Sequence, residues 1–113
     1  KLWFAIRCDG VASFQTMIRN HIALTQELAG WIADDDRFEI VAPHPLNLVC
    51  IALHGDDADA ATDALIDAAN PTGEALFTRT VLDGRSVMRI SIGPRATEAA
   101  HVTAKLDRVT EIV

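Results

Sequence analysis

One arginine stands in the middle of a segment that otherwise reads as an apolar or neutral strand, Ser86-Val87-Met88-Arg89-Ile90-Ser91-Ile92-Gly93. Side chains alternate along a strand, so Met88, Ile90 and Ile92 share one face and Val87, Arg89 and Ser91 the other. A guanidinium held on a rigid strand adds little to a core. Its planar fork can grip a carboxylate or phosphate through two parallel hydrogen bonds. The competing reading is an ion pair with Asp or Glu across the sheet, which contributes little at a surface. Arg79 bears on the choice. In one hairpin register it lies beside Arg89 on the same face, where like charges repel unless an anion sits between them.

The other chemistry-bearing residues form no comparable site. Asp34-Asp35-Asp36 and Asp56-Asp57-Asp59 lack the glycine and distal glutamate of a calcium loop, and read as solvated helix ends. The four histidines, His21, His44, His54 and His101, show no metal-ligand spacing. His21 and His101 fall in helical segments and read as interfacial or surface residues. His44, between two prolines, is on a loop with no apparent partner. Cys8 and Cys50 lie in apolar segments and read as reduced, buried thiols. No nucleophile and base are paired, and no phosphate-binding glycine loop occurs. The chain carries no self-contained catalytic site.

The elements that would position Arg89 follow from periodicity and breakers. Phe14, Ile18, Ile22, Thr25, Ala29 and Ile32, widened by Met17, Leu24, Leu28 and Trp31, predict a helix over Val11 to Ala33 behind a break at Asp9-Gly10. Lys1 to Cys8 fits a buried helix or a strand equally well. Phe38 to Val41 is a short strand stopped by Pro43 and Pro45. Leu46 to His54, almost continuously apolar, suits a central strand. Gly55-Asp56-Asp57 opens a helix that ends near Asn70. Ala75 to Leu82 and Ser86 to Ile92 form a hairpin about Asp83-Gly84, and Thr97 caps a last helix bearing Val102, Leu106, Val109 and Val113. The expected fold class is α+β: an antiparallel four-stranded sheet with helices packed on one face.

The 113 residues suffice for one domain, are half hydrophobic and 23% charged, and carry a net charge of −6. That composition is globular, and the acidic balance argues against nucleic acid as a partner. No apolar run is long enough to span a membrane, and no signal peptide is visible. The chain opens on Lys1 inside an apolar segment, so a fragment of a longer protein is expected.

Taken in order, Lys1-Leu2-Trp3-Phe4, Gly10, Ile18-Arg19-Asn20-His21, Asp36-Arg37-Phe38-Glu39, Leu48-Val49-Cys50, Val87-Met88-Arg89-Ile90 and Glu98-Ala99-Ala100-His101-Val102 resemble a pyridoxal-phosphate-dependent group of amino-acid decarboxylases, the aromatic-L-amino-acid and tyrosine decarboxylases of group II. The resemblance covers essentially the whole chain. It implies the small C-terminal domain of a fold-type I enzyme, residues 1–113, with Lys1 to Cys8 helical. It further implies a cytoplasmic carboxy-lyase, an obligate homodimer that converts an amino acid, with an aromatic one expected, to its amine. Pyridoxal 5'-phosphate would be the electron sink. The cofactor would be held by a large domain absent from this chain, since neither Lys1 nor Lys105 follows the histidine expected before the cofactor lysine. The resemblance assigns a substrate-binding role to Arg89 alone, at the active-site mouth, against the substrate carboxylate or at a domain interface.

Two function classes therefore stand side by side: a domain of a decarboxylase, inactive alone, and a stand-alone α+β regulatory or oligomerisation module. In either case the partners expected are protein or amino acid, with no nucleic acid and no membrane. The sheet face carrying Val87, Phe77 and Arg89, together with Trp3-Phe4, is expected to lie uncovered and to drive self-association.

Overall fold

The computed structural model describes residues 1–72 and 77–93. Helix α1 (Leu2–Asp9) is followed by α2 (Val11–Ala33), strands β1 (Phe38–Ile40) and β2 (Leu48–Leu53), helix α3 (Ala58–Ala69) and a single 3-10 turn (Asn70–Thr72). Strands β3 (Thr78–Leu82) and β4 (Arg85–Ser91) complete the set. The helix expected from Thr97, with His101, Val102, Leu106, Val109 and Val113, lies outside the described residues, as do Ala75 and Leu76 at the start of the hairpin.

The four strands form one antiparallel sheet in the order β1-β2-β4-β3. The apolar β2 is central, as its composition requires. Val49, Ile51 and Leu53 of β2 and Met88, Ile90 and Ile92 at β4 meet Leu28, Ala29 and Ile32 of α2 and Leu65, Ile66 and Ala69 of α3 in one core. Both helices therefore cover the same sheet face. Buried hydroxyls in this layer are satisfied: Thr25 Oγ1 donates to His21 O at 2.7 Å, and Thr62 Oγ1 accepts from Leu53 N at 3.1 Å.

The hairpin turn forms for a local reason. Asp83 and Gly84 have φ of 51° and 77°, the paired positive values of a tight turn whose twist matches the strands it joins. Gly10, at φ 81°, breaks α1 from α2 while its N–H still bonds Ile6 O at 2.8 Å. Asn70 seals the lower end of β3. Its Nδ2 donates to Phe77 O at 2.9 Å, and its Oδ1 accepts from Phe77 N at 2.7 Å.

The apolar stripe of α2 is fully buried only at Thr25, Leu28, Ala29 and Ile32, while Val11 and Ile18 are exposed and α1 buries no residue; periodicity shows that a stripe exists, not how much sheet lies beneath it. Two expectations are corrected. Phe77 belongs to the core under the helices rather than to the open face, and Val87 is fully buried. Cys8 is exposed, because α1 stands off the core; Cys50 is buried as expected, and both are free thiols. Trp3 and Phe4 are exposed, their rings packed edge to face at 5.0 Å. No helix of the described residues is long and apolar enough to cross a membrane.

Candidate functional site

Arg89 projects from β4 on the face opposite α2 and α3, where alternation places it with Val87 and Ser91. Its cross-strand neighbours are Cys50 on β2 and Thr78 on β3. Arg89 thus stands between a cysteine and a threonine, on an inner strand of the four-stranded sheet. Near it the floor is made of small or compact side chains, Cys50, Ala52 and Val87, all buried. A rigid strand and a low floor leave the guanidinium exposed and directed away from the helices.

The other two hairpin arginines are committed. Arg79 lies opposite Met88, hence on the helix face. Its Nε is 2.8 Å from Asp63 Oδ1 and its Nη2 3.0 Å from Asp67 Oδ1, which ties β3 to α3. The arrangement with Arg79 beside Arg89 is therefore not the one adopted. Arg85 Nη2 donates to Glu39 Oε2 at 3.0 Å across the sheet, and this hydrogen bond holds the Glu39 carboxyl below its ordinary range. His54 Nδ1 lies 4.0 Å from the same carboxylate, and its Nε2 is 3.1 Å from Phe38 O. Among the described residues no ion pair or hydrogen bond engages the Arg89 guanidinium. Its charge still acts locally: burial pushes the Cys50 thiol up, and the nearby positive charge draws it partly back.

Arg89, Cys50 and Thr78 can bind an anion but supply no general base and no lysine nucleophile. Lys1, the one lysine among the described residues, is exposed ahead of α1. These residues do not fit a pyridoxal phosphate seat. Nor do the described residues include a group of three His, Cys, Asp or Glu that could hold a metal. Asp35 is engaged elsewhere: its Oδ1 accepts from Arg37 N at 3.0 Å and Arg37 Nε at 2.9 Å, and Oδ2 from Arg37 Nη2 at 2.6 Å. The acidic cluster at the end of α2 is thus a turn into β1.

Two residues acquire a place that the sequence reading did not give them. Cys50 joins Arg89 through the β2–β4 register. His21, read as interfacial or surface, is 5% exposed and buried between α2 and the segment before β2. His44 lies on its loop as expected. Its carbonyl accepts from Gln26 Nε2 at 2.7 Å.

Residues 1–54 match the pyridoxal-dependent decarboxylase conserved domain. Tyrosine decarboxylase 2 of Narcissus pseudonarcissus is 36% identical over 107 residues, which cover 90% of this chain and 21% of that protein. The aromatic-L-amino-acid decarboxylase of Catharanthus roseus is 33% identical over 116 residues, 99% of this chain and 23% of its own length. The crystal structure of Oryza sativa TDC with PLP and tryptamine superposes with a TM-score of 0.89 at 33% identity, covering 97% of this chain and 25% of that one. The chain thus spans between a fifth and a quarter of the relatives it matches. In both sequence and fold, the chain is similar over nearly its whole length to pyridoxal-phosphate-dependent decarboxylases.

Proposed function

We propose that the chain is the small C-terminal domain of a cytoplasmic, homodimeric carboxy-lyase that converts an aromatic amino acid to its amine. The large domain, outside this chain, holds pyridoxal phosphate and its lysine. The observation that carries this reading is the ordered similarity of nearly the whole chain to plant tyrosine, tryptophan and aromatic-amino-acid decarboxylases. Arg89 supplies this domain's contribution to substrate binding. It stands on the sheet face opposite α2 and α3, exposed above the buried Cys50, Ala52 and Val87 and without a partner among the described residues, where a larger domain can bring a substrate to it. Shielded there from water, a guanidinium grips a carboxylate through two charge-assisted hydrogen bonds.

A stand-alone interaction module would have the same sheet and helices, but would give no reason for ordered similarity to one enzyme family. The test is twofold. The longer enzyme containing this chain should release amine from tyrosine or tryptophan when supplied with pyridoxal phosphate, and the 113-residue chain alone should show no absorbance band of bound cofactor. Tight cofactor binding by the chain alone, or an amine-forming enzyme that ignores every aromatic amino acid, would overturn the reading.

A further inference from the structure

The two edges of the sheet differ. At the β1 edge, Phe38 N donates to Asp35 O at 3.2 Å and His54 Nε2 lies 3.1 Å from Phe38 O, so the backbone there is occupied locally. At the β3 edge the hairpin sets the phase. Leu82 and Arg85 flank the two-residue turn, and the pair that closes such a turn exchanges both of its hydrogen bonds. Leu82, Thr80 and Thr78 therefore bond to β4, and the residues between them turn N–H and C=O outward. Phe77, next in that outward series, agrees with this phase: Asn70 accepts from its N–H at 2.7 Å and donates to its C=O at 2.9 Å. Further along the strand, the outward N–H and C=O of Arg79 and Val81 have no partner among the described residues.

Nothing on the strand guards this edge. Proteins commonly protect an exposed edge with a charge, a proline or a bulge. Thr78–Leu82 pairs with β4 residue for residue, without a bulge, and holds no proline. Its one charge is Arg79, and Asp63 and Asp67 of α3 hold that guanidinium at 2.8 and 3.0 Å. Val81 shares the helix face with Arg79 and is 64% exposed, an apolar side chain left in solvent at the edge.

We infer that β3 pairs antiparallel with β3 of a second copy of this chain, joining the two four-stranded sheets edge to edge. The strand is complementary to itself in one register. With a two-fold axis through Thr80, Arg79 of each copy lies opposite Val81 of the other, and every outward N–H and C=O at these residues is bonded. Val81 packs on the aliphatic stem of the opposing Arg79. The two Thr80 side chains face each other as a close pair of a kind that sheets favour. The neighbouring registers fail. An axis through Val81 sets Arg79 against the turn residue Asp83 at φ 51°. An axis through Arg79 sets two like charges together, and sets Val81 against Phe77, which Asn70 already occupies. Because each Arg79 is paired on its own α3, no unpaired cation opposes the approach. A five-residue edge buries less than the roughly 1,200 Å² at which stable interfaces begin, so the pair forms at high protein concentration rather than as a permanent dimer.

Two independent readouts test the contact in the 113-residue chain. Amide hydrogen exchange followed by NMR should show Arg79 and Val81 of the wild type gaining protection as protein concentration rises. Val81→Pro removes one outward N–H and leaves the bonds to β4, a substitution that an edge strand tolerates. It should keep the thermal unfolding midpoint near wild type and abolish the gain at Arg79. Thr80→Cys in a Cys8→Ser chain, free of the exposed native thiol, should form a disulfide-linked dimer on air oxidation, because the two Cβ atoms lie about 5 Å apart across the axis. Val81→Cys in the same background should not. Exchange at Arg79 and Val81 that is independent of concentration, a gain at Arg79 that survives Val81→Pro, or a disulfide as abundant from Val81→Cys as from Thr80→Cys would each overturn the inference.

Discussion

At the scale of single residues, the hairpin arginines divide by what holds them. Arg79 and Arg85 are tied to acidic partners on α3 and β1, whereas Arg89 faces away from the helices with no described partner. Arg89→Ala should therefore leave the fold intact, with thermal unfolding of the chain unchanged; a large Tm loss would make the residue structural. Asp35 behaves in the opposite way. Three hydrogen bonds from Arg37 hold its carboxyl at about 2, against an ordinary 3.8. A depressed folded-state pKa contributes stability that is complete above the unfolded value and is lost as pH falls through the folded one. Asp35→Asn should accordingly lower the urea midpoint at pH 7, and the gap to wild type should close between about pH 4 and pH 2. A gap independent of pH would show that the turn depends on shape rather than charge. Asn70 stands in for a strand partner at Phe77, so Asn70→Ala should cost about 1–3 kcal/mol in denaturation, since it strands a buried N–H and C=O.

At the scale of elements, periodicity and breakers were sufficient for most of the fold. The α2 bounds, the central position of β2 and the Asp83-Gly84 hairpin follow from local sequence, and the structure adopts them. The Arg89 register on β3 was also within reach. A two-residue turn puts Leu82 opposite Arg85, and counting outward puts Arg79 opposite Met88 and Thr78 opposite Arg89. The Cys50–Arg89 adjacency was not legible. It depends on β2 pairing with β4 across an intervening helix and hairpin strand, a choice made by the global core rather than by any local signal. The burial of His21 was hidden for a related reason, because one helical stripe continues past the end of the sheet it packs on. Two measurements test these elements. Gly84→Ala forces a side chain into φ 77° and should cost about 1 kcal/mol or more. Leu28→Ala, at a position with no exposure, should cost about 2–5 kcal/mol. A neutral result at Leu28 would mean that α2 does not carry the core.

At the scale of the whole molecule, two features reach outward. One is the Arg89 side chain, exposed above a sheet floor whose Cys50, Ala52 and Val87 are buried. The other is the N-terminal arm, where Leu2, Trp3, Phe4, Val11 and Ile18 are exposed while α1 buries nothing. Apolar exposure of that extent on so short an arm usually finds a partner. The isolated chain should self-associate, and Trp3→Ser with Phe4→Ser should shift sedimentation toward monomer; a wild-type chain that stays monomeric at high concentration would contradict this. Both features suit the reading proposed above, in which the chain completes a larger enzyme and Arg89 reaches its substrate. The most direct test is steady-state amine release by that enzyme with Arg89→Ala and Arg89→Lys. The expected result is a loss of about 10–100-fold in kcat/KM for Arg89→Ala, with Arg89→Lys recovering only part of it because an ammonium cannot reproduce the bidentate fork. Wild-type kcat/KM in the alanine variant would remove Arg89 from substrate binding.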